Sequence, residues 1–359
     1  MKKLNVLFAV ACWGLGHATR DLVLIRALLA AGHAVTVVST REALLLLRRE
    51  LGTSCTFLDV PDIPIPISRT RLLFYLRTTL SIPLMLLSFR REHLIAKRLC
   101  RANGFDRIVS DSRVGVPLSD VPSYLIVHGL RQIVPGRPRA LEWFIERGQQ
   151  FTFRRARKII VPDQRENGLA GELCHNLACD WGDRLEYIGI LSGVRRNGAE
   201  PDIDYFVSIS GPDPQRSILT RAVLEQSGDL KGRVVVALGR PDIPPQTSDD
   251  GHVAVHTFMN RKQQEEIMNR ARLVICRSGY TTLMELAELG KRALFIPTVG
   301  QTEQEYLGAY HESLGNAHCV EQSRLDLVRD TAASARYRGL PLLHPTAESA
   351  RRFLDLMLG

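Results

Sequence analysis

The 359-residue sequence predicts an α/β protein made of two doubly wound, Rossmann-like domains facing across a cleft. Three observations carry that expectation. Short apolar runs alternate with longer stretches of helical period throughout the chain. Several of the runs stop at a Gly or Ser turn that leads straight into a helix. The alternation breaks once, at a polar stretch holding Gly193, Arg195, Arg196, Asn197, Gly198 and Pro201, and then begins again.

In order, residues 4–11 read as an apolar strand, 12–16 as a Gly-rich turn and 18–31 as a helix with Leu22, Ile25, Leu28 and Leu29 on one face. A second strand at 34–39 closes a βαβ unit. A helix over 41–51 and a strand over 56–60 follow, then a loop held extended by Pro61, Pro64 and Pro66. Further strands at 105–110, 123–127, 157–161 and 185–190 complete a first domain over 1–195. The second domain, 203–340, has strands at 205–209, 234–238, 253–257, 273–276 and 293–296. Its helices fall near Gln215, over 262–270, from Thr281 or Thr282 to Gly290, from Glu303, and over 323–337. The segment 341–359 is a terminal helix expected to pack back on the first domain.

Residues 72–101 interleave apolar runs with Arg69, Arg71, Arg77, Arg90, Arg91, Lys97 and Arg98 at and around them. Two readings compete here. One is a pair of amphipathic core helices with solvated arginines. The other is a basic, apolar surface that meets anionic lipid or admits a lipid-linked substrate.

Hydrophobic content of 45% and charged content of 24% fit a folded soluble protein. The net charge of +9 suits phosphorylated ligands or anionic lipid. No basic motif with interleaved aromatics accompanies it, so nucleic acid is not expected as a partner. Seven scattered cysteines, an odd number, argue for a reducing compartment and a cytoplasmic location. Cys174-His175 and Cys179 match no common zinc spacing, so no metal is expected. The N-terminus lacks a signal-peptide cleavage region, and the apolar run 78–89 is too short to span a bilayer and contains Pro83.

The stretch Cys276-Arg277-Ser278-Gly279-Tyr280-Thr281-Thr282-Leu283-Met284-Glu285 is the richest in chemistry. A strand that turns through glycine into a helix start offers free N–H groups and a helix dipole to an anion, typically a phosphate. Glu285, about one turn inside that helix, is out of reach of the phosphate and can accept from paired sugar hydroxyls. An ordinary strand–turn–helix with a Thr cap is the alternative. Asp111 and His128 stand at carboxyl ends of strands, where parallel sheets bind ligands, and are candidates for an acceptor substrate or for loop anchors. His17 opens the first helix just after Gly14-Leu15-Gly16, where the dipole favours a neutral imidazole able to take a proton from a hydroxyl; capping or packing is the alternative. Gly14-Leu15-Gly16 alone is a weak dinucleotide signal. Thr19 replaces the third glycine, and Ser39-Thr40 replaces the acid for a ribose, although Arg41 could meet a phosphorylated one.

Trp13-Gly14-Leu15-Gly16-His17-Ala18-Thr19-Arg20 resembles the N-terminal loop of two-domain GT-B glycosyltransferases. Arg277-Ser278-Gly279-Tyr280-Thr281-Thr282-Leu283-Met284-Glu285, followed by Leu294-Phe295-Ile296-Pro297 and Glu303-Gln304-Glu305-Tyr306, resembles glycosyltransferase family 28. The resemblance implies an inverting, metal-independent transferase. It would move a sugar, GlcNAc or glucose, from a UDP-sugar to a hydroxyl acceptor that can be lipid-linked, at the inner face of the membrane and with no further cofactor. It also implies donor contacts from Gly16, Ser210 and Gly211, a uracil-reading backbone at Phe258 and Met259, and a diphosphate held by Ser278, Gly279, Tyr280, Thr281 and Thr282. Glu285 would take the ribose, Glu303 and Gln304 the donor sugar, and His17 the role of base. Pro212, Asp213 and Pro214 depart from the small residues the resemblance implies beside Gly211. A UDP-GlcNAc 2-epimerase and a non-catalytic subunit that binds nucleotide-sugar or docks on membrane are the alternatives.

Overall fold

A computed structural model describes residues 3–63, 71–134, 136–240 and 242–359, the side chains of 71–79 excepted. Pro64 and Pro66, and the side chains of the 72–76 run, Arg69, Arg71 and Arg77, lie outside the described residues. The chain forms two compact units. The first holds 1–68, 72–191 and His344–Gly359, and the second holds Ser192–Leu343 with 69–71.

In the first unit, strands β1 (Asn5–Val10), β2 (Ala34–Ser39), β3 (Thr56–Asp59), β4 (Arg107–Asp111), β5 (Ser123–Ile126), β6 (Lys158–Val161) and β7 (Leu185–Tyr187) form one sheet. Their order is β3-β2-β1-β4-β5-β6-β7, and every pairing is parallel. A parallel sheet is covered on both faces, so its central strands are apolar throughout rather than alternating. From Val6 to Val10, β1 is buried at every residue. Helices α1 (Leu15–Ala30), α2 (Arg41–Leu51), α3 (Arg71–Asn103) and α4 (Arg139–Thr152) belong to this unit.

The second unit repeats the plan with β8 (Ile203–Ser208), β9 (Val234–Ala237), β10 (Thr247–Asp249), β11 (Val253–His256), β12 (Ala271–Cys276), β13 (Arg292–Phe295) and β14 (His318–Cys319). The order is β10-β11-β9-β8-β12-β13-β14, with only β10 antiparallel. Its helices are α5 (Gln215–Gln226), α6 (Arg261–Arg270), α7 (Tyr280–Leu289), α8 (Thr302–Ser313) and α9 (Leu327–Ser334). Val207, Ile209, Leu219, Val236, Ile275 and Leu294 lie together in its core. The polar stretch expected as a linker is fastened to this unit: Asn269 donates to the Arg195 carbonyl and accepts from the Asn197 N–H. The last helix, α10 (Thr346–Leu358), packs on α1 with Phe353 and Met357 fully buried.

Two helical segments depart from expectation. Residues 72–101 form one helix, not a pair, because Pro83 removes a single backbone bond without ending α3. The C-terminal part of α3 is pinned to the sheet. Glu92 is buried and accepts from Arg113 Nε at 2.8 Å and from the Gly115 N–H, while Arg113 also donates to the Val60 and Pro61 carbonyls. Gly115 is required there, since a Cβ would lie 2.5 Å from the Phe89 carbonyl. Between residues 80 and 87 the helix leaves Leu80, Leu84, Leu86 and Leu87 all more than half exposed.

Helix α4 was not expected at all, because its polarity is inverted. It buries Glu142 and Glu146 and exposes Leu141, Trp143, Phe144 and Phe151. Glu146 accepts from Arg131, from the Ala178 and Cys179 N–H groups and from the Trp181 indole, so charge is satisfied inside while aromatics face outward.

Breaking the Glu92–Arg113 pair leaves an uncompensated guanidinium in the interior, which costs about 3 kcal/mol or more. Glu92→Ala is therefore expected to lower the urea midpoint of the chain at pH 7 markedly. An unchanged midpoint would show that the pair does not anchor α3.

Candidate active site

Doubly wound sheets bind ligands where the strand order reverses. In the first unit that point lies between β1 and β4, and in the second between β8 and β12. A helix starts at each. Both begin on a glycine with no side-chain cap, Gly14 before α1 and Gly279 before α7, so neither end is closed by its own sequence. Gly14 has φ 104°, a conformation that favours glycine.

In the first unit, His17, Arg20 and Asp21 occupy one turn of α1, facing Asp111 at the end of β4. Arg20 is about 1% exposed and grips Asp111 with two donors, Nε at 2.7 Å and Nη2 at 2.5 Å. Bidentate guanidinium–carboxylate pairs are strong and directional. Arg20 also donates to His128 Nδ1 at 3.1 Å, so that nitrogen is the acceptor. His17 Nδ1 lies 3.1 Å from Asp111 Oδ2 and 3.0 Å from Arg20 Nη2. The guanidinium only donates and the carboxylate only accepts, so the two contacts belong to different tautomers of His17. With the proton on Nδ1, His17 bonds Asp111 and keeps the Nε2 lone pair for a substrate proton.

Burial alone would raise the Asp111 carboxyl, but Arg20 and then His17 hold it well below the usual carboxylate range. Burial, and then the charge of Asp111, push Asp21 well above that range, so the two carboxyls of the cluster are driven in opposite directions. Asp111 is fully buried, and both its oxygens are occupied by Arg20, His17 and the Ser112 hydroxyl. Of its two expected roles, acceptor contact or anchor, these bonds within the chain are those of an anchor. His128 is half-buried, with its ring 6.5 Å from that of His17, and Trp13 stands edge-on to His17 at 6.2 Å. Gly16 lies in the first turn of α1.

In the second unit, the loops after β8, β12 and β13 are tied by Arg277. This guanidinium is about 1% exposed and donates to the carbonyls of Ser210, Gln215, Ile296 and Pro297. No carboxylate accepts from it in these bonds, so its charge is offset only by carbonyl dipoles, and burial brings its acidity to about 10. Gly211, at φ 103°, comes close to this tie: a Cβ there would lie 3.4 Å from Thr298 Oγ1 and 3.9 Å from Arg277 Nε. Of the residues that depart from the family resemblance, Asp213 accepts from Arg216 and Ser217, and Pro214 precedes α5.

Helix α7 starts at Tyr280, just ahead of the expected Thr281 or Thr282, which lie inside its first turn; the cap is Gly279, not the threonine of the alternative reading. Ser278 is fully buried and its hydroxyl donates to the Gln304 carbonyl at 2.6 Å, which leaves its N–H as the group for an anion. Gln304 is also occupied. Its Oε1 accepts from the Thr298 N–H at 2.8 Å and its Nε2 donates to Gln301 at 2.6 Å, so it braces the loop after β13. Glu303 is half-buried in the first turn of α8. Glu285 stands on α7 about 7.5 Å along the axis from Tyr280. It is 7% exposed and accepts from Arg261 Nη2 at 2.9 Å. Arg261 follows Phe258, half-buried, and Met259, buried.

Arg20, Arg261 and Arg277 were not singled out from sequence. Arg20 had a legible signal, a charged residue one turn from His17 on a helix with an apolar face. Arg261 and Arg277 had none, because their partners come from distant segments. Among the described residues the one His/Cys/carboxylate group of metal-ligand geometry is Asp163, Cys174 and His175. Asp163 there accepts from the Gln164, Leu169 and Ala170 N–H groups, which is the bonding of a loop brace.

Residues 214–334 match the glycosyltransferase family 28 C-terminal domain. The UDP-N-acetylglucosamine–N-acetylmuramyl-(pentapeptide) pyrophosphoryl-undecaprenol N-acetylglucosamine transferase of Histophilus somni is 47% identical over 57 residues, 16% of each chain. The matched stretch thus spans about a sixth of that relative. The glycotransferase of kitacinnamycin superposes with a TM-score of 0.66 at 15% identity, covering 99% of this chain and 94% of that one. Acinetobacter baumannii MurG superposes with a TM-score of 0.61 at 14% identity, covering 99% of both. The chain has the GT-B fold of these solved structures, and its residues 214–334 match the glycosyltransferase family 28 C-terminal domain.

Proposed function

We propose that this chain is an inverting glycosyltransferase that moves a sugar, GlcNAc or glucose, from a UDP-sugar to a hydroxyl acceptor. One observation from each unit carries the reading, an orientated histidine in the first and an uncapped helix start beside a buried cation in the second. His17 is held by Asp111 in the first unit, and the uncapped start of α7 lies beside the buried charge of Arg277 in the second.

The acceptor O–H gives its proton to His17 Nε2. The acceptor oxygen attacks the anomeric carbon on the face opposite the diphosphate, the C–O bond to the diphosphate breaks, and the configuration inverts. Negative charge then builds on the departing UDP. The N–H groups of the α7 start and the Arg277 guanidinium stabilise that charge from fixed positions. With this positive field supplied by the protein, turnover is expected to need no divalent ion. The direct test is incubation with UDP-GlcNAc, with and without EDTA, across lipid-linked and soluble hydroxyl acceptors. Transfer undiminished by EDTA supports the reading. Conversion of UDP-GlcNAc to its 2-epimer without acceptor would replace it with the epimerase.

The variants separate the two halves of the chemistry. His17→Ala and Asp111→Asn are expected to lower kcat by about a hundredfold or more while sparing UDP binding. Glu285→Ala is expected to weaken UDP binding about tenfold. Undiminished transfer by the His17 variant would remove it as the base.

We also propose that the first unit meets a membrane surface, consistent with a lipid-linked acceptor at the inner face of the cytoplasmic membrane. The support is the bare apolar part of α3 next to Arg90 and Arg91, and the inverted α4, where Trp143 and Phe144 stand edge-to-face at 4.9 Å among Arg139, Arg147 and Arg154. No helix of the described residues is long and apolar enough to cross a membrane. Co-sedimentation with anionic vesicles at low salt is expected, and Leu86→Glu with Phe144→Glu should abolish it without changing the thermal midpoint. Equal sedimentation of the variant would remove this surface from the reading.

A further inference from the structure

We propose that Arg261 sets the nucleotide selectivity of the second unit by holding Glu285 in the orientation that reads a ribose diol. The inference rests on the donor-site reading above and deepens it. Arg261 Nη2 donates to Glu285 Oε1 at 2.9 Å, with the two side chains 22% and 10% exposed. The bond joins α6 to α7 across 24 residues of sequence.

The helix itself gives no reason for an arginine there. Arg261 and Lys262 occupy the first turn of α6, which contains no acidic residue, and the helix dipole disfavours cations at that end. The start of α6 is already closed by a reciprocal pair, Asn260 accepting from the Gln263 N–H and Gln263 accepting from the Asn260 N–H. Arg261 therefore works against its own helix, and its partner on α7 is what compensates. Such local conflicts concentrate at functional positions.

A carboxylate accepts through two oxygens, with about four lone-pair directions. Arg261 takes one direction on Oε1. Those left on Oε1 and Oε2 match two adjacent hydroxyls, and the arginine stops the carboxylate from turning away. Glu285 is nearly buried, so a ligand lacking one hydroxyl leaves a lone pair dry and unmatched, and the site rejects it. Without Arg261 the carboxylate can swing and hydrate, and the missing hydroxyl is no longer penalised. Arg261 acts through Glu285 and is a positioning residue. The ligand class selected is a ribonucleoside diphosphate over its 2′-deoxy counterpart.

The test is calorimetric binding of UDP and of 2′-deoxy-UDP to the full chain, its Arg261→Met, Arg261→Lys and Glu285→Ala variants, and the Arg261→Met/Glu285→Ala double variant. The parent is expected to prefer UDP about tenfold. Arg261→Met should reduce that preference to about twofold, weakening UDP and easing the penalty on 2′-deoxy-UDP, and Arg261→Lys should recover part of it. In the Glu285→Ala background, removing Arg261 should change nothing further. A variant that keeps the parent's preference, or weakens both nucleotides equally, overturns the role of Arg261 while the donor site stands. A parent that binds neither nucleotide overturns the donor-site reading, and this inference with it.

Discussion

The second unit depends on one buried cation. A reversal of strand order leaves the loops after β8, β12 and β13 with no shared secondary structure, and each loop ends in carbonyls that need donors. Arg277 supplies them from a single rigid fork to Ser210, Gln215, Ile296 and Pro297. Burying a guanidinium without a carboxylate is costly, and the cost is tolerated because four carbonyls are satisfied at once. The same cation leaves a net positive field behind the start of α7. The side chain that ties the loops is thus also the one that the proposed donor site would use for its anion.

The first unit solves the equivalent problem differently. Arg20 also holds a switch point together, but it does so against a carboxylate, so that pair is close to neutral. The difference suits different chemistry. A base must gain a proton during reaction, and in the proposed role His17 would do so beside Asp111, whose carboxyl is held well below the usual range. Asp21, in the same turn, has its carboxyl pushed well above the usual range by burial and by the charge of Asp111. A buried arginine thus stands at the switch point of each unit, and the field around it follows from whether a carboxylate was placed opposite.

Much of the architecture was legible because parallel strands buried on both faces must be apolar runs, and those runs are plain in the sequence. The Gly turns after β8 and β12 were legible for a related reason, since each ends such a run. What escaped detection lacked periodicity or reversed it. The short edge strands β10 and β14 are too brief to carry a pattern. Helix α4 has its glutamates inside and its aromatics outside, the opposite of the rule by which helices are found. In the site, positions were readable and partners were not. Nothing near Glu285 in sequence points to Arg261, and the expected roles of Ser278 and Gln304 changed once their polar groups proved to be used within the loops.

Helix α10 has a consequence for the order in which this protein is made. It packs on α1, the helix that carries His17, and its Ser349 hydroxyl lies where a Cβ on Gly189 would be, 2.5 Å away. The intervening second unit is synthesised before it. The contact between α1 and α10 can therefore form only after every residue of the second unit has been synthesised.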